Sequence, residues 1–409
     1  MTNSFLDLGV SEVTERALTA RGIAAPFEVQ TRVIPDAIAG KDVLVRSRTG
    51  SGKTLAFAIP MIERMDPKGI RPSALILTPT RELASQVAGE FAAIASPKNL
   101  RVATIYGGTS IRTQQRAASK AHILVATPGR LEDVVSRGLI SLEHVTILVL
   151  DEADHMLDMG FAPQVEKLVA RISKNRQTML FSATLDGEVG RIAQRYTRSP
   201  VSHRLEAEPT IKDVEHKFVA VGTEHKVDRL AEMLQDQPGS TLVFVRTKHG
   251  ADRLAMRLSA SGIAATAMHG NKNQSQRERA LAAFASGRVT ALVATDVAAR
   301  GIDVRNVARV VNFDPPTEDN SFVHRVGRTG RAGKKGISIT FVAPHERSDV
   351  GRMAQRLSLE KEFAIEHGAL RAPSRDRQRQ PARGERPGSF RGRPSRGGPQ
   401  QRSNNRRAR

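Results

Sequence analysis

The sequence of 409 residues contains no cysteine. This excludes disulfide frameworks and thiolate metal sites, and it is consistent with a reducing compartment. No run of about 18 consecutive apolar residues occurs, so we expect no transmembrane helix. The first residues lack a basic segment followed by an apolar run, so we expect no secretory signal. These absences together favour a soluble cytoplasmic protein with no membrane partner.

Positive charge is concentrated near the C-terminal end. The formal net charge is +21, and residues 371–409 contain 13 arginines, no lysine and two acidic residues. This asymmetry favours a polyanionic partner, most often nucleic acid. An anionic membrane surface is the competing interpretation, but Phe390 is the one aromatic residue there and no apolar face is evident. Since Arg, Gly, Pro, Ser and Gln dominate this segment, we expect a disordered tail over residues 369–409.

The length favours two domains, because a chain of this size exceeds one ordinary hydrophobic core. Short apolar runs alternate with helical patterns in two series, which is typical of parallel sheets covered on both faces. We predict domains over residues 1–205 and 215–368, joined by a polar linker at 206–214. The predicted strands are 42–45, 74–78, 101–106, 122–126, 146–150 and 178–182 in the first domain, and 216–221, 241–245, 265–268, 290–294, 309–313 and 338–342 in the second.

The first predicted strand leads into a glycine-rich turn that is typical of phosphate binding. Its glycines let consecutive backbone N–H groups point at a phosphate, while Lys53 adds a positive charge and the Thr54 hydroxyl is a candidate Mg²⁺ ligand. An ordinary strand-to-helix turn is the alternative, which the Lys-Thr pair between strand and helix disfavours. The candidate nucleotide-binding residues here are Ser47, Arg48, Thr49, Gly50, Ser51, Gly52, Lys53 and Thr54.

A second apolar run, at 145–150, ends in Asp151-Glu152-Ala153-Asp154. The phosphate-binding turn and this acidic strand end together predict a nucleoside triphosphate site. We predict that Asp151 holds Mg²⁺ through water and that Glu152 orients or deprotonates the attacking water. A solvated acidic loop is the alternative, which the preceding apolar strand disfavours.

Several further stretches agree with one family in their order and spacing. They are residues 22–30, Pro79-Thr80-Arg81-Glu82-Leu83-Ala84, Gly107-Gly108, Thr127-Pro128-Gly129-Arg130, Ser182-Ala183-Thr184, His269-Gly270 with Gln274 and Arg277, residues 295–303 and residues 324–331. On these motifs the chain resembles the DEAD-box ATP-dependent RNA helicases over roughly residues 3 to 345. The resemblance implies the α/β class, with two tandem RecA-like parallel-sheet domains, ATP as the nucleotide and RNA as the partner.

The resemblance also implies roles for individual residues. Gln30 and Phe5 would contact the adenine base, and Asp303 would contact the ribose hydroxyls. Arg328 and Arg331 would reach the γ-phosphate from the second domain and complete a catalytic set with Lys53, Asp151 and Glu152. The residues implied to couple the ATP site to RNA are Asp154, Ser182, Thr184, His324 and Arg325, and those implied to hold the RNA backbone are Arg81, Gly108, Thr127, Arg130, Arg277 and Thr295.

The implied activity is RNA-stimulated ATP hydrolysis, coupled to local unwinding of short duplexes or to remodelling of ribonucleoprotein as two domains close. We expect a monomer that contacts the RNA backbone with little sequence specificity, with ribosomal RNA or mRNA as targets. Two alternatives remain open. One is a DNA-directed helicase of the same two-domain type, and the other is an RNA-binding chaperone that acts mainly through its basic tail.

Overall fold

A computed structural model describes residues 4–47, 51–205, 214–299, 307–330 and 336–367. We call residues 4–205 the first half of the molecule and residues 214–367 the second half. Each half is built around one parallel sheet with helices on both of its faces, as the sequence predicts. Several predicted features lie outside the described residues, namely Arg48, Thr49, Gly50, Asp303, Arg331, the tail at 369–409 and residues 206–213 of the linker.

The described part of the first half contains a seven-stranded sheet in the order β3-β4-β2-β5-β6-β1-β7, with all neighbours parallel. The six predicted strands are present to within one residue at each end. The seventh, β7, pairs with β1 at the sheet edge, and its Val-Ser-His-Arg sequence has no apolar run that would predict it. The strands are β1 (Val43–Arg46), β2 (Ala74–Leu77), β3 (Val102–Ile105), β4 (Ile123–Ala126), β5 (Ile147–Asp151), β6 (Gln177–Ser182) and β7 (Val201–Arg204).

The helices of the first half begin where the sequence supplies suitable first turns. Thr80 precedes α4, and its hydroxyl accepts a hydrogen bond from Leu83 N–H (3.3 Å), while Pro128 opens α6 where no backbone N–H is needed. The helices are α1 (Glu12–Thr19), α2 (Glu28–Ile38), α3 (Lys53–Arg64), α4 (Arg81–Ala95), α5 (Ile111–Ala118), α6 (Pro128–Ser136), α7 (Ala153–Asp158), α8 (Ala162–Val169) and α9 (Gly187–Tyr196).

The described part of the second half contains a six-stranded sheet in the order β10-β11-β9-β12-β13-β8, again with all neighbours parallel. Every predicted strand of this half is present to within two residues. The strands are β8 (Val214–Ala220), β9 (Thr241–Phe244), β10 (Ala265–Met268), β11 (Ala291–Ala294), β12 (Arg309–Asn312) and β13 (Gly336–Val342). The helices are α10 (Lys226–Asp236), α11 (Lys248–Ala260), α12 (Gln274–Ala285), α13 (Asp296–Ala299), α14 (Asp319–Val326), α15 (Arg347–Arg356) and α16 (Glu360–His367).

Successive residues of the central strands enter different cores. In β2, Ile76 packs into the core on one face of the sheet, whereas Leu75 and Leu77 pack into the core on the other face. In β9, Val243 packs into the core on one face of the second sheet and Leu242 into the core on the other face. Each such side chain stabilises the fold by about 1.5–3 kcal/mol when it is fully buried. This burial on both faces explains why the strands are continuous apolar runs.

The parallel direction of the strands places their C-terminal ends at one edge of each sheet. The polar residues that follow β1, β2, β4, β5 and β6 are therefore collected at a single edge of the first sheet, where open α/β sheets bind their ligands. None of the helices in the described ranges has the length and hydropathy needed to span a bilayer.

Candidate nucleotide and RNA site

The turn before α3 is shaped by Gly52. Its φ of 84° lies in the left-handed region, which favours glycine. A side chain here would also collide, because an added Cβ would lie 2.5 Å from the Phe27 ring and 2.8 Å from Gln30 Nε2. The helix begins directly afterwards at Lys53, whose side chain is buried. The positive end of a helix and a buried ammonium group therefore meet at one point, as an anion site requires.

Gln30 lies against this turn and makes one hydrogen bond through each end of its amide. Its Oε1 accepts a hydrogen bond from Phe27 N–H (2.9 Å), and its Nε2 donates to the Gly52 carbonyl (2.9 Å). The amide keeps one further N–H donor and one further acceptor lone pair, which are the two groups that pairing with an adenine edge requires. Phe5, the other predicted base contact, is 1% exposed and packs in the core, whereas the ring of Phe27 is 63% exposed.

The acidic strand end and the phosphate-binding turn come together at Lys53. Its Nζ lies 3.0 Å from Asp151 Oδ1 and 3.6 Å from Glu152 Oε1. Glu152 has a φ of 55°, a left-handed conformation that ends the strand and starts α7 at Ala153. No described group makes a well-formed hydrogen bond to either oxygen of Asp151 or to Glu152 Oε1, and all three oxygens are buried. Three such carboxylate oxygens beside a lysine suit a cation and a phosphate better than they suit a closed structural ion pair.

The pKa values of these three groups diverge. Burial raises the pKa of Asp151, and the charge of Lys53 offsets this only in part. Burial by itself would raise the pKa of Glu152, but Lys53, His155 and Arg328 hold it below its ordinary value. Burial by itself would lower the pKa of Lys53, but the two carboxylates raise it. Glu152 is therefore the firmly ionised member of the adjacent carboxylates, and a cation at Asp151 would compensate for the cost of its burial.

The structure brings Asp154 and the 182–184 segment together, as predicted. Asp154 Oδ2 accepts a hydrogen bond from Ala183 N–H (3.0 Å), and Ser182 Oγ accepts one from Asp154 N–H (3.3 Å). Thr184 joins through its backbone N–H, which donates to Ser182 Oγ (3.4 Å). These hydrogen bonds join the acidic turn directly to the end of β6.

His324 and Arg328 of the second half lie close to the acidic turn of the first half. His324 Nδ1 is 3.0 Å from Nε2 of His155, which is itself bonded through Nδ1 to Glu152 Oε2 at 2.9 Å. Arg328 is buried, and its charge is near enough to Glu152 to lower the pKa of that carboxylate. The contact between His324 and the acidic turn is thus made through His155.

Arg325 is placed differently from the sequence expectation, which coupled it to the acidic turn. Its Nε and Nη2 donate to the two carboxylate oxygens of Asp296 at 2.6 and 2.7 Å, and its Nη1 donates to Asn312 Oδ1 and to the Asp314 carbonyl. All of these partners belong to the second half. Hydrogen-bond acceptors lie along both edges of the planar guanidinium, so this buried arginine holds together the loops of its own sheet.

The three predicted RNA-binding loops of the first half meet at one edge of its sheet. The guanidinium of Arg81 lies over Gly107 and Gly108, since a Cβ added at Gly107 would be 2.8 Å from Arg81 Nη2. Arg130 Nη1 donates to the Thr109 carbonyl at 3.1 Å, and Thr127 N–H donates to the Ile105 carbonyl at 3.0 Å. Arginines and backbone N–H groups gathered in this way are suited to a sugar-phosphate backbone.

The two RNA-binding candidates of the second half differ in their surroundings. Arg277 forms a buried ion pair with Glu82 of the first half, with Nη2 2.8 Å from Oε2. Thr295 directly follows β11 and is also largely buried, and its carbonyl accepts hydrogen bonds from the N–H groups of Ala298 and Ala299 in α13. The Arg277–Glu82 pair joins the two halves at the edge where the RNA-binding loops lie.

Sequence reasoning assigned no role to His155, Glu82 or Asp296, although each contacts a predicted site residue. The signal for His155 is its spacing, because residues three apart on a helix face the same way and Glu152 precedes it by three. No comparable signal exists for Glu82 or Asp296, whose partners are distant in sequence. These contacts become visible when the chain is folded.

Comparison with known proteins agrees with the motifs. A family model described as DEAD/DEAH box helicase matches residues 27–192, and one described as helicase conserved C-terminal domain matches residues 225–333. The chain is 43% identical over 346 residues to the DEAD-box ATP-dependent RNA helicase CshA of Geobacillus kaustophilus, covering 84% of this chain and 74% of that protein. The chain belongs to the DEAD-box family of ATP-dependent RNA helicases. The CshA of Bacillus subtilis is 42% identical and covers 85% of this chain and 71% of that protein.

Solved structures extend the DEAD-box comparison to the whole fold. Dbp5 of Saccharomyces cerevisiae, bound to RNA and ADP BeF3, is 30% identical, covers 91% of this chain and 96% of that chain, and gives a TM-score of 0.77. A DEAD-box protein of Methanococcus jannaschii is 38% identical, covers 87% and 97%, and gives 0.52. Both comparisons span both RecA-like halves of this chain.

Proposed function

We propose that this DEAD-box helicase hydrolyses ATP at a site divided between its two halves. Lys53 and the turn around Gly52 would hold the phosphates, Glu152 would activate water, and Arg328 with Arg331 would face the γ-phosphate from the second half. The observation that carries the proposal is geometric: Lys53 Nζ lies 3.0 Å from Asp151 Oδ1, and His324 of the second half contacts His155, which is bonded to Glu152. An arginine supplied across such a site can contribute about 10³–10⁵ in rate, so hydrolysis would depend on the halves being together.

We propose Mg²⁺ as the cation of this site, with Thr54 and Asp151 as the residues that would hold it, Asp151 through water. The two buried oxygens of Asp151 without well-formed hydrogen bonds support this assignment. When it is bound, Mg²⁺ neutralises charge on the phosphate oxygens. Ser47 has a buried hydroxyl with no hydrogen-bond partner among the described residues, which supports a place for it, with Ser51, in the same loop.

The nucleotide base would be read by the second N–H and the second lone pair of the Gln30 amide, while the bond to Gly52 holds that amide in place. Phe5 would support this region from within the core, because its ring is buried, and Asp303 would contact the ribose. Since the amide of Gln30 offers one donor and one acceptor, it suits adenine better than guanine.

RNA would bind along the loops that contain Arg81, Gly108, Thr127 and Arg130, and Arg277 and Thr295 would complete the path in the second half. Support comes from the gathering of the first-half loops at one edge and from the similarity to a structure bound to RNA. Contacts to the backbone and 2′-hydroxyls would carry little sequence specificity. The basic tail would add salt-dependent affinity, and ribosomal RNA or mRNA would be the targets of a monomer acting in the cytoplasm.

The work done would be local strand separation. RNA and ATP would each stabilise the same closed arrangement, so they would bind cooperatively. Asp154, Ser182 and Thr184 would carry the state of the ATP site to the RNA side, and His324 would join them from the second half. Arg325 would serve this coupling indirectly, by holding the loops of the second half in place.

The decisive experiment compares ATP hydrolysis by the full chain with single-stranded RNA, single-stranded DNA and no nucleic acid. We expect stimulation by RNA alone, whereas equal stimulation by DNA would favour the DNA-directed helicase.

Glu152→Gln should retain ATP binding yet lose hydrolysis by about 10²–10⁴-fold, and Glu143→Gln, which changes an exposed carboxylate of the same half, should behave as the parent. Rapid hydrolysis by Glu152→Gln would overturn the assignment. Removal of residues 371–409 should weaken strand separation without abolishing it, and complete loss would favour the tail-based chaperone.

A further inference from the structure

His155 connects the acidic turn of the first half to the second half. Its Nδ1 lies 2.9 Å from Glu152 Oε2 and its Nε2 lies 3.0 Å from His324 Nδ1. The side chain is 5% exposed, and that of Glu152 is 3% exposed. Both nitrogens of a buried imidazole are therefore committed, one to each half.

The first of these contacts orients the carboxylate of Glu152. An ionised carboxylate can only accept hydrogen bonds, so Nδ1 of His155 must carry the shared hydrogen. This contact occupies Oε2 and leaves Oε1, which is buried, has no hydrogen-bond partner among the described residues and lies 3.6 Å from Lys53 Nζ. Oε1 is thus the oxygen that is open to accept a proton from water. His155 determines which of the two oxygens is presented.

The second contact orients His155 itself. The rings of His155 and His324 lie edge to face, with centroids 4.5 Å apart and planes at 86°. Rotation of the His155 ring would break the contact with His324 and the contact with Glu152 together. His324 lies on α14, so this restraint exists when the second half lies against the first. A carboxylate orientation in the first half therefore depends on a residue of the second.

We propose that His155 is a positioning residue that makes the orientation of the Glu152 carboxylate depend on apposition of the two halves through His324. The inference rests on the proposed role of Glu152 in activating water. His155 itself touches neither ATP nor water in this scheme. Its effect on hydrolysis is exerted through Glu152.

The test compares His155→Phe, which keeps a ring of similar shape, with His155→Gln, whose amide can still donate to Glu152. With saturating RNA, we expect His155→Phe to lower kcat roughly 10- to 100-fold, the scale of a misplaced catalytic group, with KM for ATP changed less than about 2-fold. We expect His155→Gln to recover part of that loss. The control is His144→Phe, an exposed histidine of the same half, which should match the parent protein.

A double-mutant cycle tests the path through His324. If His155 and His324 act as one unit, His155→Phe combined with His324→Phe should lower kcat no further than the more damaging single change, whereas multiplied losses would overturn the proposal. An unchanged kcat in His155→Phe would also overturn it. If that protein does not fold, an unchanged kcat in both His155→Gln and His324→Phe refutes the proposal instead. Glu152→Gln is measured alongside to separate the two proposals. Rapid ATP hydrolysis by Glu152→Gln would refute the proposed role of Glu152 itself. An inactive Glu152→Gln together with an unchanged kcat in His155→Phe would refute only the positioning role of His155.

Discussion

The two halves place a buried lysine at the same point of the same fold and use it differently. β1 and β8 occupy equivalent positions in their sheets, and the helices that follow them start at Lys53 and Lys226. Lys53 faces Asp151, and neither carboxylate oxygen of Asp151 makes a well-formed hydrogen bond within the described residues. Lys226 Nζ donates to the Phe313 carbonyl and to Glu346 Oε2, both at 3.0 Å. The second lysine is committed to its own fold, whereas the first is available to a phosphate.

The connections before these helices explain the difference. Gly52, in a left-handed conformation, turns the backbone of the first half directly into α3. The second half enters α10 through a short 3₁₀ turn, Thr223–His225, which offers no glycine-rich curve of N–H groups. The strand ends differ too: β5 ends in Asp151, whereas β12 ends in Asn312, which binds Arg325. The position of a lysine in the fold therefore does not decide its role. The role is decided by the loop before the helix and by the residue at the end of the neighbouring strand.

The prediction with the largest expected effect concerns Arg328, and it tests whether the second half supplies a catalytic cation. Arg328→Ala should lower RNA-stimulated kcat by about 10³–10⁵-fold, because it removes a buried cation that the second half places near Glu152. Steady-state ATP hydrolysis measures this, with binding of a non-hydrolysable ATP analogue measured separately. Arg328→Lys keeps the charge without the planar fork and should recover little, while Arg352→Ala, on the exposed face of α15, should match the parent. A loss below tenfold would contradict the catalytic role proposed for Arg328.

The next comparison sets Lys53→Ala against Lys226→Ala. Lys53→Ala should lower kcat/KM for ATP by about 10²–10³-fold, since it removes a charge aimed at the phosphates. Lys226→Ala should leave the rate within a few-fold but lower the free energy of unfolding by about 3 kcal/mol, because Glu346 is left buried without its nearest cation. Hydrolysis assays and urea unfolding followed by circular dichroism separate the two. If Lys226→Ala abolished hydrolysis at unchanged stability, the contrast between the lysines would be wrong.

A pH experiment tests a charge that stabilises the first half alone. Burial by itself would raise the pKa of Glu63, but hydrogen bonds from Lys98, Thr14 and Ser11 hold it below its ordinary value. Stability from such a group is full above the unfolded-state pKa and is lost as the pH falls through the folded-state pKa. Glu63→Gln should therefore cost about 2 kcal/mol at pH 7, and the difference from the parent should shrink below pH 4.5, the ordinary value of this carboxyl. Urea unfolding at several pH values measures this, and a pH-independent difference would contradict it.

The prediction with the smallest expected effect concerns the N-termini of two helices, α12 and α2. Asn273 and Gln276 before and within α12 exchange hydrogen bonds of 2.9 and 3.0 Å between side chain and backbone. At α2 only Gln30 contributes, because Phe27 has no side-chain acceptor. Phe27→Asn should raise the free energy of unfolding by about 1 kcal/mol, and Asn273→Ala should lower it by about the same amount. Thermal or urea unfolding checks both, and a loss of stability in Phe27→Asn would show that its ring contributes more than the missing cap.

Much of the fold follows from patterns that are local in sequence. Short apolar or β-branched runs predict twelve of the strands to within two residues, because the central strands are buried on both faces and need apolar residues at nearly every position. Strand β7 escapes prediction because an edge strand is held by backbone pairing with β1 and needs no apolar run. The phosphate-binding turn and the acidic strand end are also recognisable, since the chemistry of each is carried by consecutive residues.

The sequence by itself determined the two sheets, the family and the presence of a phosphate-binding turn beside an acidic strand end. The tertiary structure alone decided that Arg325 pairs with Asp296, that Arg277 pairs with Glu82, and that His155 lies between Glu152 and His324. Helix and strand patterns arise from neighbours along the chain, whereas these pairs join residues 29, 195 and 169 positions apart. Their partners are chosen by which loops the parallel sheets bring to a shared edge, and no local pattern encodes that choice.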